Sequence, residues 1–291
     1  MLSDIVNLCK TIGAIADSLS IFRNGIAAMH SKHNFSEFFS KLADASSEAI
    51  MPHFRTAFDI ENKLESGFDP VTIADRNGET AIRALINEAY PSHGILGEEH
   101  GAENLDAEYV WVLDPIDGTR AFITGLPTWG TLVGLNRNGR PYMGMMAQPY
   151  VGERYVGTCD SAWYDGPIGR RTLKTRACGK LSDAVLCTTT PALFSQYERP
   201  VFDAIEKQVK LSRYGTDCYA YCMLAAGLAD LVIESGLQAY DIVALVPIIE
   251  GAGGAVTTWS GGSPEKGGQI VASGDRHLHD LVLKQLTSAA D

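Results

Sequence analysis

The sequence predicts an α/β protein whose two halves are built differently. Apolar residues recur at near-helical spacing in two segments before residue 92, which indicates two helices. Short β-rich runs separated by Gly, Pro and Asn turns then fill residues 94–159, so the first half is expected to be α+β. After about residue 184, strand-like and helix-like segments alternate, which is typical of a layered α/β half.

The first half begins with the two helices. Asn34 resembles an N-cap, and the apolar spacing from Phe38 to Ile50 continues until Pro52. Residues 79–90 predict the second helix, which Pro91 ends. The β-rich runs that follow are expected to form a sheet, and they are Gly94–Gly97, Tyr109–Leu113, Gly130–Leu135, Tyr142–Gln148 and Arg154–Cys159.

In the second half, strands are predicted at Val185–Thr189, 210–214, 230–234, 255–259 and 269–273. Helices are predicted at 199–209, 217–227, 240–251 and from Asp275 onward. On that last helix, His277 and His279 are expected to face solvent. Residues 160–184 are the best boundary, which gives an N-terminal extension (1–33), an α+β half with the candidate site loops (34–184) and an α/β half that completes the site (185–291).

Length and charge limit the class of protein. A chain of 291 residues can bury a substantial core as one large domain or two packed halves. The formal net charge of −11 argues against nucleic-acid and anionic-membrane partners, which need a basic surface. The protein could still bind a small anionic substrate if bound metal ions made the charge of the protein positive near the site.

The cysteines and the N-terminal segment predict a cytoplasmic protein. Six cysteines are scattered without a CxxC pair, so we expect reduced thiols. Charged residues interrupt every apolar run in residues 1–33 before it reaches the roughly 20 residues that span a bilayer, and no secretory signal pattern is present. We expect a helical or frayed extension there, or a start at Met29.

The segment with the strongest chemical signal is DPIDGT at residues 114–119, directly after the apolar strand 109–113. Asp114 and Asp117 can converge on a hard cation, because carboxylate oxygens suit such ions and the proline fixes the turn. Gly118 would let the backbone approach a ligand, and the amides of Gly118 and Thr119 could bind a phosphate. The alternative is an ordinary Asp-rich turn.

Other acidic residues lie at the ends of predicted elements. Glu98 and Glu99 close a short strand, so one should face the site and the other solvent, and we assign Glu98 inward. A surface acidic pair is the alternative. Residues 69–75 resemble a loop that leads into a helix, which Thr72 or Asp75 could cap. Asp241, which opens an apolar segment, could likewise be an N-cap.

Together these motifs resemble the inositol monophosphatase family of lithium-sensitive, magnesium-dependent phosphatases. The resemblance runs from about residue 35 to the C-terminus. It rests on GEE at 97–99, DPIDGT at 114–119, Glu234 seven residues before Asp241, and GAGG at 251–254. Tyr240 stands where the family usually has Trp, so an aromatic residue is kept before the last acid.

The resemblance implies a fold and a set of ligands. The fold is the layered αβαβα sandwich of the inositol monophosphatase and fructose-1,6-bisphosphatase type, usually a homodimer. The implied cofactor is Mg²⁺, with two or three ions in each site. The implied ligands are Glu98, Asp114, the main-chain carbonyl of Ile116, Asp117 and Asp241, with Asp75 holding a further ion through water.

Within the family, the chain looks most similar to the histidinol-phosphate phosphatase branch. The phrases that carry this resemblance are FDPVT and ADR at 68–76, DGTRAF at 117–122 and RYGTDCYAY at 213–221. Arg213, Asp217 and Glu234 are the expected substrate contacts. Carboxylates at 217 and 234 would suit the ammonium and imidazole groups of histidinol phosphate, although Asp217 could instead cap the helix 217–227.

The predicted activity is hydrolysis of histidinol phosphate, a step of histidine biosynthesis, through water activated by two metal ions. Glu98 and Thr119 would orient the water, and Asp75 would assist. The rival activities are hydrolysis of inositol phosphate or of another small phosphate ester. A catalytically silent metal-binding scaffold is a rival of a different class.

Overall fold

The structure is a computed structural model that describes residues 35–56, 61–62 and 70–291. The predicted extension 1–33 and the predicted cap at Asn34 lie outside these residues. The chain divides into two compact units, Met1–Lys41 and Leu42–Asp291. Residues 35–41 of the first unit are helical. The second unit contains both sheets and every acidic residue of the candidate site that is discussed below.

Eight α-helices occur in the described part of the chain, numbered in chain order. They are α1 (35–50), α2 (Ile73–Ala89), α3 (Thr119–Ile123), α4 (Arg199–Glu206), α5 (Asp217–Ala225), α6 (Ala239–Ile242), α7 (Leu245–Gly251) and α8 (Arg276–Leu286). Short 3-10 turns are found at Met51–His53, Leu181–Asp183, Pro191–Leu193 and Thr287–Ala289.

The strands fall into a short ribbon and two sheets. The ribbon pairs β1 (Glu61–Asn62) with β2 (Pro70–Val71). The strands of the first sheet are β3 (Gly94–Gly97), β4 (Gly101–Glu103), β5 (Tyr109–Asp117), β6 (Gly130–Arg137), β7 (Arg140–Gln148), β8 (Glu153–Gly157), β9 (Ala162–Asp165) and β10 (Arg171–Thr172). The strands of the second sheet are β11 (Val185–Thr188), β12 (Leu211–Tyr214), β13 (Leu231–Leu237), β14 (Ala255–Thr258) and β15 (Gly268–Ser273).

The two sheets differ in strand direction. The first has the order β10-β9-β8-β7-β6-β5-β3-β4, and among its pairs β3 and β5 run parallel while the others are antiparallel. The second has the order β12-β11-β13-β15-β14, with β11 parallel to both its neighbours. In the first sheet, Glu98 directly follows β3, and Asp114 and Asp117 lie at the end of the neighbouring parallel strand β5. In the second sheet, Glu234 lies in the middle of β13.

Helices cover both sheets and confirm the predicted layered αβαβα sandwich. α2 packs on β5 of the first sheet, and α7 packs on β7, β8 and β9. One core cluster joins Leu132 and Met146 of the first sheet to α5, α7 and Val232 of the second. On the other face of the second sheet, Leu231 and Val271 pack with α4 and α8.

Some predicted elements differ from the structure. The second helix begins at Ile73 instead of residue 79, because Thr72 and Asp75 form a capping box there. The predicted helix 240–251 is two helices, since Pro247 cannot donate to the carbonyl of Val243. β9 and β10 lie within residues 160–184, where no strand is predicted, and they belong to the first sheet.

The expectation that His279 faces solvent is wrong. Its side chain is buried, while His277 is exposed as predicted. His279 lies on the face of α8 that packs on the second sheet beside Leu278 and Val282. Its ring nitrogens are hydrogen-bonded to Thr257 Oγ1 at 3.0 Å and to Ser273 Oγ at 3.3 Å, which makes burial of the ring tolerable.

Candidate metal centre

A bulge at the end of β5 places two aspartates on one side of the sheet. In a regular strand, residues three apart face opposite sides. Here Asp114 pairs with Leu132 and Asp117 pairs with Gly130, so three steps on β5 match two on β6. The extra residue turns both aspartates to the same face. Thr131 Oγ1 stabilises the bulge by donating to the carbonyl of Pro115 at 2.9 Å.

Asp241 completes an acidic cluster from a distant part of the chain. One carboxylate oxygen from each of Asp114, Asp117 and Asp241 lies within 4.8 Å of the others. α6 carries Asp241 and packs across β5 and β6, which explains the approach. The structure therefore brings these three predicted ligands together, as the sequence motifs suggest.

Asp75 and Asp241 both close capping boxes at helix starts. Asp75 Oδ2 accepts hydrogen bonds from the amide of Thr72 at 2.8 Å and from its hydroxyl at 2.6 Å. Asp241 Oδ2 accepts from the amide of Gln238 at 2.6 Å. The N-cap residues are Thr72 and Gln238, so Asp75 and Asp241 are not N-caps themselves but the N3 partners in the two capping boxes. These hydrogen bonds fix the direction in which each carboxylate points.

Glu98 faces the acidic cluster. Its amide donates to the carbonyl of Leu113 at 3.2 Å, which continues the pairing of β3 with β5. Its carboxyl group shares a hydrogen bond with Asp114 and lies close enough to Asp75 for their charges to interact. This agrees with the inward assignment of Glu98.

Burial and mutual repulsion make the ionised cluster costly. Burial raises the pKa of Asp114 well above its usual range, and the charges of Glu98, Asp117 and Asp241 raise it further. Burial also raises the pKa of Asp117, and the charges of Asp241 and Asp217 raise it further. The pKa of Asp75 rises to about 6, mainly through burial, while its hydrogen bonds to Thr72 act in the opposite direction.

These residues fit a hard divalent cation. The donors are carboxylate oxygens, which Mg²⁺ and Ca²⁺ prefer. Asp75 Oδ1 is buried without a hydrogen-bond partner in the described part of the chain, although Oδ2 of the same group is fully engaged. An orphaned carboxylate oxygen beside a convergent acidic cluster is the arrangement that a bound cation, or water held by it, would satisfy.

The DPIDGT loop, which carries Asp114 and Asp117, is fixed by close packing at Gly118 and by a hydrogen bond from Thr119. Gly118 has φ +86°, a conformation that favours glycine. A Cβ at this position would lie 3.2 Å from Asp217 Cβ and from Trp129 Cα. Thr119 Oγ1 donates to the carbonyl of Ile116 at 3.2 Å, so the two residues predicted as water-orienting group and main-chain ligand are in contact.

A second pair of carboxylates borders the first cluster. Glu234 Oε1 accepts from the amide of Thr189 at 2.5 Å, and Thr189 also hydrogen-bonds Asp217 through its side chain. Burial raises the pKa of Glu234 to about 8, and burial raises that of Asp217 to about 6 although the charge of Arg120 lowers it. Asp217 does not cap α5, whose N-cap residue is Thr216. The amide of the next residue, Cys218, donates to Asp117 Oδ2 at 2.7 Å, which ties the two clusters together.

Arg213 is placed differently from the other predicted substrate contacts. It lies on the edge strand β12 and is exposed, two strands away from Glu234. It pairs in register with Cys187, and its charge lowers the pKa of that thiol, although burial raises it overall.

The sequence patterns do not identify the residues that hydrogen-bond to the site residues and their loops. Glu79 accepts from the amides that follow Glu98, and Thr189 bridges Asp217 and Glu234. In the sequence, Glu79 and Arg83 look like an exposed i,i+4 ion pair on a helix. Only their burial, which depends on the rest of the fold, distinguishes Glu79 and Arg83 from an ordinary surface ion pair.

The family of the chain follows from comparison with known proteins. The sequence profile of the inositol monophosphatase family matches residues 31–290. The chain belongs to this family. Membership in the inositol monophosphatase family supports a phosphoric monoester hydrolase, in agreement with the acidic cluster.

Relatives within the inositol monophosphatase family include more than one named activity. The chain is 45% identical over 262 residues to the chloroplastic bifunctional phosphatase IMPL2 of Arabidopsis thaliana, covering 84% of this chain and 72% of that protein. It is 30% identical to a histidinol-phosphatase of Mycobacterium tuberculosis, covering 85% and 95%. An inositol monophosphatase structure from Zymomonas mobilis superimposes with a TM-score of 0.76 at 42% identity, covering 85% of this chain and 95% of that chain.

Within the described residues, no helix combines the length and the apolar character needed to cross a membrane.

Proposed function

We propose that this protein is a Mg²⁺-dependent phosphomonoesterase that converts histidinol phosphate to histidinol and phosphate. The observation that carries the proposal is the convergence of Asp114, Asp117 and Asp241 to within 4.8 Å, with burial and repulsion raising the pKa of the first two. Such a cluster favours occupation by divalent cations, which would also attract a phosphate group. The Mg²⁺ ligands in this proposal are Glu98, Asp114, the carbonyl of Ile116, Asp117 and Asp241, with Asp75 nearby.

When bound, Mg²⁺ would supply Lewis-acid stabilisation of the phosphoryl charge and lower the pKa of water. The residues of the chain then have separate tasks. Glu98 accepts a proton from the attacking water, and the Thr119 hydroxyl orients that water. As the new P–O bond forms, the ester P–O bond breaks, and the leaving alkoxide takes a proton from solvent to give histidinol. The amides of Gly118 and Thr119 donate to phosphate oxygens, where the bulge and the tight turn at Gly118 hold them in place.

Asp217 and Glu234 are proposed to recognise the leaving alcohol. Their charges interact, and both carboxyl groups have a pKa raised by burial, so a cationic partner would relieve the cost of ionising them. Histidinol carries an ammonium group and an imidazole, whereas inositol is uncharged. Arg213 stays a predicted substrate contact at the rim of the same sheet.

The relatives support two substrates. The histidinol-phosphatase from M. tuberculosis and the bifunctional phosphatase from A. thaliana favour a histidinol-phosphate activity or more than one substrate. The Z. mobilis structure is named an inositol monophosphatase, so inositol monophosphate is the second candidate. The carboxylate pair at 217 and 234 favours the cationic substrate.

Further properties belong to the same proposal. We expect a cytoplasmic homodimer whose activity is inhibited by lithium. Light scattering during gel filtration tests the dimer, and inhibition of phosphate release by LiCl, with KCl as the control, tests lithium sensitivity.

The test is phosphate release from histidinol phosphate and from inositol monophosphate by one preparation with Mg²⁺. The proposal predicts a higher kcat/KM for histidinol phosphate. A preference for inositol monophosphate would select the second candidate. Mg²⁺ binding without phosphate release from these or other small esters would instead favour a catalytically silent scaffold.

A further inference from the structure

A buried ion pair lies beneath the loop that carries Glu98. Glu79 is fully buried, and Arg83, one turn later on α2, is 7% exposed. Arg83 Nε donates to Glu79 Oε1 at 2.7 Å. A buried carboxylate of this kind must be well hydrogen-bonded to be tolerated.

The other hydrogen bonds of the pair go to the loop after β3 and to the following strand β4. Glu79 Oε2 accepts from the amide of Glu99 at 2.7 Å, and Glu79 Oε1 accepts from the amide of His100 at 3.2 Å. Arg83 donates to the carbonyl of Gly101 and to the carboxylate of Glu103. The backbone immediately following Glu98 is thus bonded to one helix by three consecutive residues.

The side chain of His100 adds a further link to the same helix. Its Nε2 lies 3.1 Å from Thr80 Oγ1 and 3.2 Å from the carbonyl of Arg76.

Gly97 makes room for this arrangement. A Cβ on Gly97 would overlap Glu79 Oε1 and lie 2.8 Å from Arg83 Nη2. The close approach of the ion pair to the strand therefore requires glycine immediately before Glu98, which gives the first residue of the GEE segment a packing role.

The same helix also contacts the DPIDGT loop. Asp75 lies one turn before Glu79, and Gly78 allows α2 to approach Pro115, because a Cβ on Gly78 would lie 3.1 Å from Pro115 Cβ. α2 therefore contacts the DPIDGT loop at Gly78 and the loop after Glu98 at Glu79.

We propose that Glu79 and Arg83 are positioning residues that fix the Glu98 carboxylate relative to Asp114. This inference rests on the proposed function, since it gives Glu98 its role. Glu79 acts through two backbone amides and touches no reacting atom. Without its carboxylate, the loop 98–101 loses the acceptor that orients it, and Glu98 samples positions away from Asp114.

The test compares Glu79→Gln with Asp230→Asn. Asp230, which directly precedes β13, is a similarly buried acid that accepts from Arg176 Nε at 2.6 Å and from the amide of Val185 at 2.8 Å, so it reproduces the chemistry of Glu79 away from the loop after Glu98. The measurements are hydrogen exchange at the amides of Glu99 and His100, Mg²⁺ affinity by calorimetry, and kcat with KM.

For Glu79→Gln we expect faster exchange at both amides and a loss of roughly 10–100-fold in Mg²⁺ affinity or kcat, as for other groups that orient metal ligands. The KM for the phosphate ester should change little. Asp230→Asn should lower the Tm and leave the exchange and the Mg²⁺ affinity unchanged. Equal effects of the two substitutions would overturn the proposal, because the pair would then be only a stabilising contact.

A double-mutant cycle with Glu98→Gln tests whether Glu79 acts through Glu98. If it does, adding Glu79→Gln to Glu98→Gln causes little further loss of kcat. Additive losses would contradict the proposal. Glu79→Asp, which keeps the charge but shortens the reach of the carboxylate toward both amides, replaces Glu79→Gln in the cycle if that variant does not fold.

Failure of the proposed function is a distinguishable result. A wild-type protein that binds Mg²⁺ but releases no phosphate removes the proposed activity. The comparison of exchange and Mg²⁺ affinity between Glu79→Gln and Asp230→Asn still decides the positioning role in that case.

Discussion

Single residues at this site have both a local structural task and a chemical one. Asp75 and Asp241 each give one oxygen to a capping box at a helix start. The second oxygen of Asp75 is buried without a partner in the described residues, and an oxygen of Asp241 joins the cluster with Asp114 and Asp117. In Asp75 the oxygen in the capping box and the buried oxygen without a partner are different atoms, so a structural role at the helix start and a role at the site are compatible.

Asp114→Asn should stabilise the protein in the absence of metal and nearly abolish turnover. The substitution removes a buried charge whose pKa is raised by burial and by Glu98, so repulsion in the folded state falls. We expect the Tm in EDTA to rise by a few degrees, since about 1 kcal/mol corresponds to roughly 2–4 °C in a domain this size. Turnover should fall by more than the roughly 100-fold typical of residues that only orient a metal ligand.

Asp203→Asn is the matched control for this result. Asp203 is a more exposed acid paired with Arg199 on α4, so its loss should change the Tm little and leave turnover unaffected. A lower Tm for Asp114→Asn in EDTA, or normal turnover with Mg²⁺, would contradict the description of the cluster.

Asp217→Asn should weaken the binding of histidinol phosphate specifically. Removing one charged partner of the substrate ammonium or imidazole should raise KM by about 10-fold or more, because a hydrogen bond to a charged group contributes about 1.5–3 kcal/mol. Steady-state kinetics with both substrates provide the measurement. An equal rise in KM for inositol monophosphate would show that Asp217 has no role in specificity.

At the scale of elements, the sequence predicts much of the fold because local signals agree with it. The apolar segment before Asp114 and the Gly and Pro turns between strands indicate β5 to β8 at nearly the observed bounds. The bulge at the end of β5 could not be predicted, because it depends on pairing with β6. The burial of Glu79 and His279 depends on packing between layers, which periodicity within one helix does not specify.

The N-cap of α8, Asp275, is expected to stabilise the protein by an amount that depends on pH. Asp275 accepts from the amides of Cys178, His277 and Leu278 at 3.0, 2.8 and 3.3 Å. Burial alone would raise the pKa of Asp275, but these hydrogen bonds outweigh it, so its pKa is lower than the usual 3.8. Asp275→Ala should destabilise the protein at neutral pH by about 1 kcal/mol.

The sign of the pH effect follows from the lowered pKa. The ionised cap stabilises the folded state fully above the unfolded pKa, and its contribution is lost as the pH falls through the folded value. Urea denaturation of the wild type and Asp275→Ala should therefore show a difference at pH 7 that shrinks below about pH 4. A difference that is unchanged down to pH 2 would contradict this.

For the whole molecule, the buried acids predict how stability depends on pH without metal. The pKa values of Asp75 and Asp217 rise to about 6 and that of Glu234 to about 8. Because their folded pKa values exceed the unfolded ones, the folded state binds more protons, and its stability falls as the pH rises from about 4 to 8. Excess Mg²⁺ should reduce this loss, since a ligand at 100 times its Kd stabilises by about 2.7 kcal/mol.

Urea denaturation in EDTA from pH 4 to 8, repeated with Mg²⁺, measures this effect. Glu234→Gln is the control, because it should remove the loss at the upper end of the range while the response to Mg²⁺ remains. Stability in EDTA that rises steadily up to pH 8 would contradict the raised pKa values of these acids.

The most direct test of the central claim is anomalous diffraction from crystals soaked in Mn²⁺, which uses the same oxygen ligands as Mg²⁺. We expect an anomalous peak between the carboxylates of Asp114, Asp117 and Asp241, and the loss of this peak in Asp241→Asn. Ordered Mn²⁺ found only at other acidic residues, with no peak at this cluster, would contradict the central claim.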